Sequence, residues 1–472
     1  MTPPLSERVL LTGLGMVTPA APHREESWQR LVQGTSAVRW VEWDELFPPG
    51  NAPRLDSEDP ASRWLGAPVP RSAADRDEGL HGTGSGRPAA LALRAAAEAL
   101  CDARLEPPLL TPLRTGCVIG ASKGGFGPFT AAWRAARDPQ NNAPAGDWWS
   151  ALEPADGARQ VASRYDLRGA ALCPVAACAT GLMSIARGAD LIREGVCDLV
   201  LAGSSDASLH AAILASYRRL RVLARPTADP SASCRPFDRH RSGFVIGEGA
   251  AIVVLERADQ ALARGAIPYA EWLAGGLASD PSHLAHLGAD PVGLTWLIQD
   301  VLRRGGVSAD DIDYINLHGT ATRENDPYET RALHQALGRR ARDVPLSSLK
   351  GTIGHLLGAA GSVELGATLL AMRDSLVPPT ANLWEPDPDC DLDYTPRFPR
   401  PRQIDTALKL SLGFGGHLAA GLLRRWDSGP SRAPREHSAL ALQTAAPSLT
   451  RSASEESQSK RSTPSSPQGT LP

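Results

Sequence analysis

The sequence contains no two cysteines in C-x-x-C spacing, no run of about 18 apolar residues and no excess of one charge sign. The seven cysteines, Cys101, Cys117, Cys173, Cys178, Cys197, Cys234 and Cys390, are odd in number and scattered over 472 residues. A disulfide framework and a cysteine zinc site are therefore not expected, and most of the thiols should be small buried hydrophobes. A net charge of -3 argues against a nucleic-acid binder. The missing apolar run argues against a membrane span. The first residues, MTPPLSERVLLTG, lack a basic region followed by an apolar core and a small-residue cleavage site, so the expected address is cytoplasmic. What is present, 42% hydrophobic and 21% charged residues, fits a soluble globular chain with a large core.

Residues 8–17 (VLLTGLGMVT) read as a buried strand running into a Gly-rich turn, and 25–33 as a short helix. Gly13 and Gly15 lack the third glycine of a dinucleotide loop, which disfavours a cofactor site there. Residues 41–86 read as loops. A helix is expected at 88–104, a strand at 115–120, and helices within 126–164, a stretch with three tryptophans of open role. In the second half a helix is expected at 295–304, a strand at 312–317 and a helix at 326–337. For that last helix Asp326 reads as N-cap, Pro327 as first residue and Glu329 as capping-box partner. A strand at 344–349, a long small-residue helix at 353–373 and strands at 407–412 and 418–423 follow, after a strand at 244–256 and a helix at 257–270. The repeated element order suggests a duplicated α/β unit. Residues 427–472, rich in Ser and Pro, read as a disordered tail.

The segment 171–187, ALCPVAACATGLMSIAR, is the most informative. Leu182, Ile185, Ala186, Ala189 and Ile192 lie on one helical face, Gly195 stops the helix, and Asp198–Ala202 resumes as a strand. Cys178 thus falls at a strand-to-helix junction, where unpaired N–H groups and the helix dipole favour a thiolate. Two histidines stand in distinct motifs downstream, HGTAT at 318–322 and GHLLGAAG at 354–361. This thiol with two histidines, at separations of 140 and 37 residues, resembles the β-ketoacyl-acyl-carrier-protein synthases of the thiolase fold, in particular the type that closes fatty-acid elongation cycles. TGLGMVTP, CRPFDRHRSGFVIGEGA, LSSLKGTIGHLLGAAGSVE and SLGFGG match the same family, so the resemblance covers about residues 9–423.

The resemblance implies an α/β chain with a thiolase-like fold, two similar halves in a layered α-β-α-β-α arrangement, here 6–258 carrying the cysteine and 259–426 carrying the histidines. It implies a decarboxylative condensation of an acyl thioester, held on Cys178, with a malonyl thioester. Cys178, His318 and His355 would be catalytic and Lys350 and Glu364 supporting. The N–H groups of Cys178 and Phe414 would form the oxyanion hole, with Phe414 also gating the acyl pocket. Thr320 and Thr322 would meet the phosphopantetheine arm, and Arg221 would help receive an acyl carrier protein. No metal and no tightly bound cofactor are implied, the pantetheine arm arriving on the carrier, and a homodimer is expected. Two departures, with a poor match over residues 41–86, point to a divergent substrate, such as a polyketide or specialised lipid intermediate. His417-Leu418 replaces the Thr-Asn that commonly follows GFGG, and Ser242 replaces an acidic residue. A non-elongating chain-length-factor partner is the alternative, although such subunits usually lack the cysteine. A zinc hydrolase built on His318, His355 and a carboxylate lacks the short ligand spacing of a zinc motif.

Overall fold

A computed structural model describes residues 4–42, 46, 63–70, 86–107, 111–135, 137 and 148–426. The tail at 427–472 and most of the loop stretch at 41–86 lie outside the described residues. Ten strands form one sheet: β1 (Val9–Val17), β2 (Thr115–Gly120), β3 (Ala171–Leu172), β4 (Leu199–Ala207), β5 (Glu248–Arg257), β6 (Ala270–Ser279), β7 (Tyr314–Asn316), β8 (Leu346–Ser347), β9 (Thr406–Gly413) and β10 (His417–Arg425). Their spatial order is β3-β2-β4-β5-β1-β6-β10-β9-β7-β8. Subtracting five from each label of the second half reproduces the first half in mirror order. The pairings repeat as well: β2 runs parallel to β3 and β4, β7 runs parallel to β8 and β9, and the remaining pairs are antiparallel. The halves meet where β1 pairs with β6 over Val9, Leu10 and Leu11.

Eleven helices recur among the described residues: α1 (Arg24–Gln33), α2 (Arg87–Asp102), α3 (Phe126–Ala135), α4 (Asp156–Arg164), α5 (Thr180–Arg193), α6 (Ala211–Arg219), α7 (Ala258–Ala263), α8 (Val292–Gly305), α9 (Asn325–Leu337), α10 (Lys350–Ile353) and α11 (Ala360–Asp374). The outer layers are α2 and α4 on one half and α8 with α9 on the other, while α5 and α11 pack together between the two half-sheets. This is the layered α-β-α-β-α thiolase-like arrangement. Leu182, Ile185 and Ile192 of α5 are fully buried, each contributing about 2 kcal/mol by leaving water. Among the described residues no helix is long and apolar enough to cross a membrane.

Several elements differ from their expectation. The glycines of VLLTGLGMVT do not end the strand; β1 continues through them to Val17. A Cβ on Gly13 would sit 2.7 Å from that of Ala103 and one on Gly15 2.7 Å from the Ala99 nitrogen, so these glycines let the Ala-rich α2 lie directly on β1. The strand before Cys178 is only Ala171–Leu172. The expected helix at 257–270 stops at Ala263, and β6 follows, a strand the sequence pattern hides because its middle reads LAGG. The long helix at 353–373 is broken into α10, a single 3₁₀ turn at Leu357–Ala359 and α11, with His355 in the break.

Candidate active site

The site sits where the central helices begin. Each is preceded by a 3₁₀ turn, Ala177–Ala179 before α5 and Leu357–Ala359 before α11, and each turn starts on a non-glycine residue in the left-handed region, Ala177 at φ 47° and Leu357 at φ 48°. The glycine of ACATG explains how the two starts can touch: a Cβ on Gly181 would lie 2.5 Å from the Ser362 nitrogen. One on Gly361, in GAAG, would lie 2.7 Å from the Leu182 nitrogen. Ser204 and Ser362 hydroxyls then join across the contact at 2.6 Å. Close approach of two helix starts therefore brings a thiol from one half to a histidine from the other.

The Cys178 Sγ lies 3.0 Å from the His355 Nε2. The His318 ring meets that of His355 edge-on, centroids 5.3 Å apart at 81°. Phe244 packs edge-on against the other side of His355 at 5.0 Å. The His355 backbone is held as well, its N–H donating to the Val245 carbonyl at 2.7 Å and its carbonyl accepting from Gly247 at 2.9 Å. This gives the GFVIGEG stretch its role as the clamp of His355. The ligand-capable atoms of Cys178, His318 and His355 lie within 4.8 Å of one another, and among the described residues no carboxylate joins the cluster, so they do not assemble the set that a zinc hydrolase would require.

Burial dominates the electrostatics. It pulls both imidazoles well below their ordinary range, and the nearby lysines add to the effect: Lys350 and Lys409 at both rings, and Lys123 at His355. Both effects favour the neutral form of each ring. Their Nδ1 atoms find no partner among the described residues, so neither ring is locked into one tautomer. Burial also pushes the Cys178 thiol up to about 11, against the lowering by Lys123 and Lys350 and by the backbone N–H of Phe414. The helix start, expected to favour a thiolate, is opposed by this burial. Desolvation outweighs the helix start, and the group rests as a thiol facing a neutral imidazole.

The glycine-rich loop after β9 reaches the thiol closely. A Cβ on Gly413 would lie 2.5 Å from the Ala176 carbonyl oxygen and 3.1 Å from the Cys178 nitrogen. The next residue, Phe414, stacks on Tyr217 at 6.1 Å. The loop is braced from the segment after β6: the Gly415 N–H donates to the Leu284 carbonyl at 2.7 Å, and the Gly416 carbonyl accepts from Asp280 at 2.8 Å. Backbone bonds from 280–284 therefore hold the loop in a chain that has His417-Leu418 after it. Cys178, His318, His355 and Phe414 open into one cavity of about 420 Å³. Thr320 and Thr322, hydroxyls 2.9 Å apart, and Ser242 line its wall. Arg221 is exposed at its mouth and also borders a neighbouring cavity with Arg218 and Arg225.

Behind the site, Lys350 Nζ pairs with Glu364 Oε1 at 2.5 Å and donates to the His318 carbonyl. Two carboxylates read from the sequence as helix caps do something else. Glu329 accepts from the N–H groups of His318 (2.7 Å) and Gly319 (2.6 Å), and Asp326 from those of Phe237 (2.8 Å) and Ala321 (3.1 Å). The helix begins at Asn325, two residues too early for Asp326 to cap it, and both side chains are fully buried. They fasten the HGTAT loop to α9. Burial raises both carboxyls, with the N–H donors opposing. Lys409 on β9 was missed altogether. Its Nζ donates to the second Glu364 oxygen at 2.7 Å. A lysine set between Leu408 and Leu410 in ALKLSLG was the available signal.

The N-terminal domain profile of β-ketoacyl synthases matches residues 6–261, and the C-terminal domain profile matches 269–384. Tetracenomycin polyketide synthase ketoacyl synthase alpha subunit of Streptomyces glaucescens is 36% identical over 90% of this chain and 99% of its own length. 3-Oxoacyl-[acyl-carrier-protein] synthase 2 of Rhizobium meliloti is 38% identical over 89% of this chain and 99% of its own. Among solved structures, a β-ketoacyl synthase from Burkholderia phymatum aligns with a TM-score of 0.79 at 31% identity, over 89% of this chain and all of that one. A type II PKS acyl-carrier protein in complex with its ketosynthase bound to the hexaketide aligns at 0.78 and 30%, with the same coverage.

Proposed function

The chain belongs to the β-ketoacyl synthase family, and from that premise we propose how its own residues perform the condensation. The reaction, in fatty-acid or polyketide synthesis, joins an acyl thioester to a malonyl thioester with loss of carbon dioxide. The observation that carries the residue assignment is the 3.0 Å contact of Cys178 Sγ with His355 Nε2, made across the two halves with His318 alongside. Cys178 attacks the acyl thioester carbonyl. Its proton passes through His355 Nε2 to the departing pantetheine sulfur, so a thiol that rests protonated becomes nucleophilic only as substrate arrives. The N–H groups of Cys178 and Phe414 receive the oxyanion, and the acyl group is left on sulfur.

A malonyl thioester then enters the same cavity. The neutral His318 and His355 donate from Nε2 to its thioester carbonyl. The bond to the carboxylate breaks, carbon dioxide leaves, and the electron pair flows into an enolate held by those donors. The enolate carbon attacks the acyl-cysteine carbonyl and the C–S bond breaks, releasing the Cys178 sulfur as a thiolate that takes a proton from water to restore the thiol. Lys350 and Glu364 orient His318 through its carbonyl. Thr320 and Thr322 meet the phosphopantetheine arm, and exposed Arg221 meets the acidic surface of an acyl carrier protein, the only carrier of a cofactor in this scheme. A cytoplasmic homodimer, with the cysteine half at 6–258 and the histidine half at 259–426, completes the reading. The intact thiol–histidine contact favours the condensing subunit over a chain-length-factor role.

Incubation with an acyl-carrier thioester, read by mass spectrometry, tests this directly. An acyl adduct on Cys178, followed by a β-ketoacyl product when malonyl thioester is added, is the expected result. Absence of the adduct refutes the assignment.

A further inference from the structure

Lys409 is not needed for any step above, and its position is costly. It is fully buried in β9 between Leu408 and Leu410. Its Nζ donates to Glu364 Oε2 at 2.7 Å, to the Leu410 carbonyl at 2.6 Å and, at 3.4 Å, to the Leu317 carbonyl. Lys350 already takes the other Glu364 oxygen and the His318 carbonyl. One carboxylate is therefore shared by two ammonium groups that are both 0% exposed, and the cluster sums to one positive charge. A single Lys350–Glu364 pair would have been neutral and complete. A second buried lysine that contacts no second carboxylate, Glu329 acting on it only at a distance, pays a desolvation cost that lowers its ammonium to about 8, so stability alone does not account for it.

The geometry also has a direction. The two ammonium groups grip the consecutive carbonyls of Leu317 and His318, while Glu329 grips the consecutive N–H groups of His318 and Gly319. We propose that Lys409 is a positioning residue for the condensation, fixing the His318 peptide together with Lys350 and giving the Lys350–Glu364–Lys409 cluster the net positive charge that keeps His318 and His355 neutral hydrogen donors. This rests on the decarboxylating role assigned above. A neutral donor serves the thioester carbonyl without forming a stable ion pair with the malonyl carboxylate, which must shed its charge as carbon dioxide. The fixed positive charge behind the rings favours the enolate that forms.

The charged and titratable groups around the rings are few. Lys350 from α10 and Lys409 from β9 act on both rings. Lys123, from the turn after β2, acts on His355, and His355 acts on His318 across their edge contact. The Cys178 thiol touches His355, and Asp206, at the end of β4, faces that thiol while accepting from Ser122, Ser208 and Gly358. Glu329 lies behind the His318 backbone. Burial and the lysines act in the same direction on both imidazoles, in accord with this arrangement.

The test is an NMR titration of histidine-selectively labelled protein, with His318→Ala and His355→Ala used for assignment, alongside the pH profile of malonyl-pantetheine decarboxylation. Lys409→Met makes the cluster neutral and is expected to raise the titration midpoints of both rings, and the acid limb of decarboxylation, by about one pH unit. Adding Glu364→Gln to Lys409→Met restores the single positive charge and should bring the midpoints back down. Glu364→Gln alone, with two positive charges, should move them below the wild-type values, and it decides the matter if Lys409→Met does not fold. Unmoved midpoints in Lys409→Met with a uniformly lower rate, or no downward movement in Glu364→Gln, overturn the proposal. Midpoints that move as expected in a wild-type background releasing no carbon dioxide would leave the charge assignment standing and refute the condensing role instead.

Discussion

Replacing Gly413 by alanine is expected to damage catalysis far more than folding. The added methyl would lie 2.5 Å from the Ala176 carbonyl oxygen and 3.1 Å from both the Ala179 and Cys178 nitrogens, all of them backbone atoms that cannot rotate away. Restoring ordinary separation from the Ala176 oxygen requires the loop or the cysteine turn to retreat by roughly 0.7 Å or more. That movement separates the N–H of Phe414 from that of Cys178, the two donors assigned to the oxyanion. Loss of one such donor costs about 10²–10³ in kcat, while overpacking of this size costs about 1–3 kcal/mol in stability. Single-turnover acylation of Cys178, followed by quenched-flow mass spectrometry, measures the first quantity, and urea unfolding measures the second. Gly127→Ala is the control, since a Cβ there meets nothing within 4 Å and lies inside α3. The reasoning is refuted if Gly413→Ala acylates within threefold of the wild-type rate, or if its rate and stability fall together with a simple fraction unfolded.

Truncating His318 to alanine should leave acylation of Cys178 within about tenfold of wild type and lower malonyl decarboxylation by about 10²–10⁴, because His355 alone touches the thiol; radiometric carbon dioxide release reads the second step. A thiol pushed up to about 11 ionises progressively above neutrality, so the rate of iodoacetamide alkylation at Cys178 should rise about tenfold per pH unit between pH 7 and 9. A plateau near the ordinary thiol pKa of about 8.5 would contradict it. In Glu329→Gln the amide offers one acceptor where the carboxylate offers two oxygens to the His318 and Gly319 N–H groups, leaving one buried donor unmatched. Stability should fall by about 1–3 kcal/mol, with a parallel loss of decarboxylation. An unchanged unfolding midpoint would show that Glu329 does not hold the loop.

Residues singled out by local pattern are the ones the structure brings together. Cys178 before a helical face and the two histidine motifs are short-range signals, and the doubled order of strands and helices follows from hydropathy period alone. Asp326 and Glu329 were misread because a carboxylate three residues from another at a helix start looks the same whether it bonds its own helix or a neighbouring loop. The pattern holds donors and acceptors but not their pairing. β6 was hidden because Gly275 and Gly276 interrupt its hydrophobic run, and they are glycines because Trp272 and Leu297 pack where their side chains would be.

By itself the sequence pointed to Cys178, His318 and His355 and to the duplicated layers, since motif and period along the chain carry both. Only the tertiary structure decided their charge states and their company. The pairing of α5 with α11 at Gly181 and Gly361 sets the thiol against His355, burial holds that thiol and both imidazoles uncharged, and two lysines 59 residues apart in the chain come to share Glu364. Desolvation and long-range pairing are properties of position in space, and no spacing along the chain encodes them.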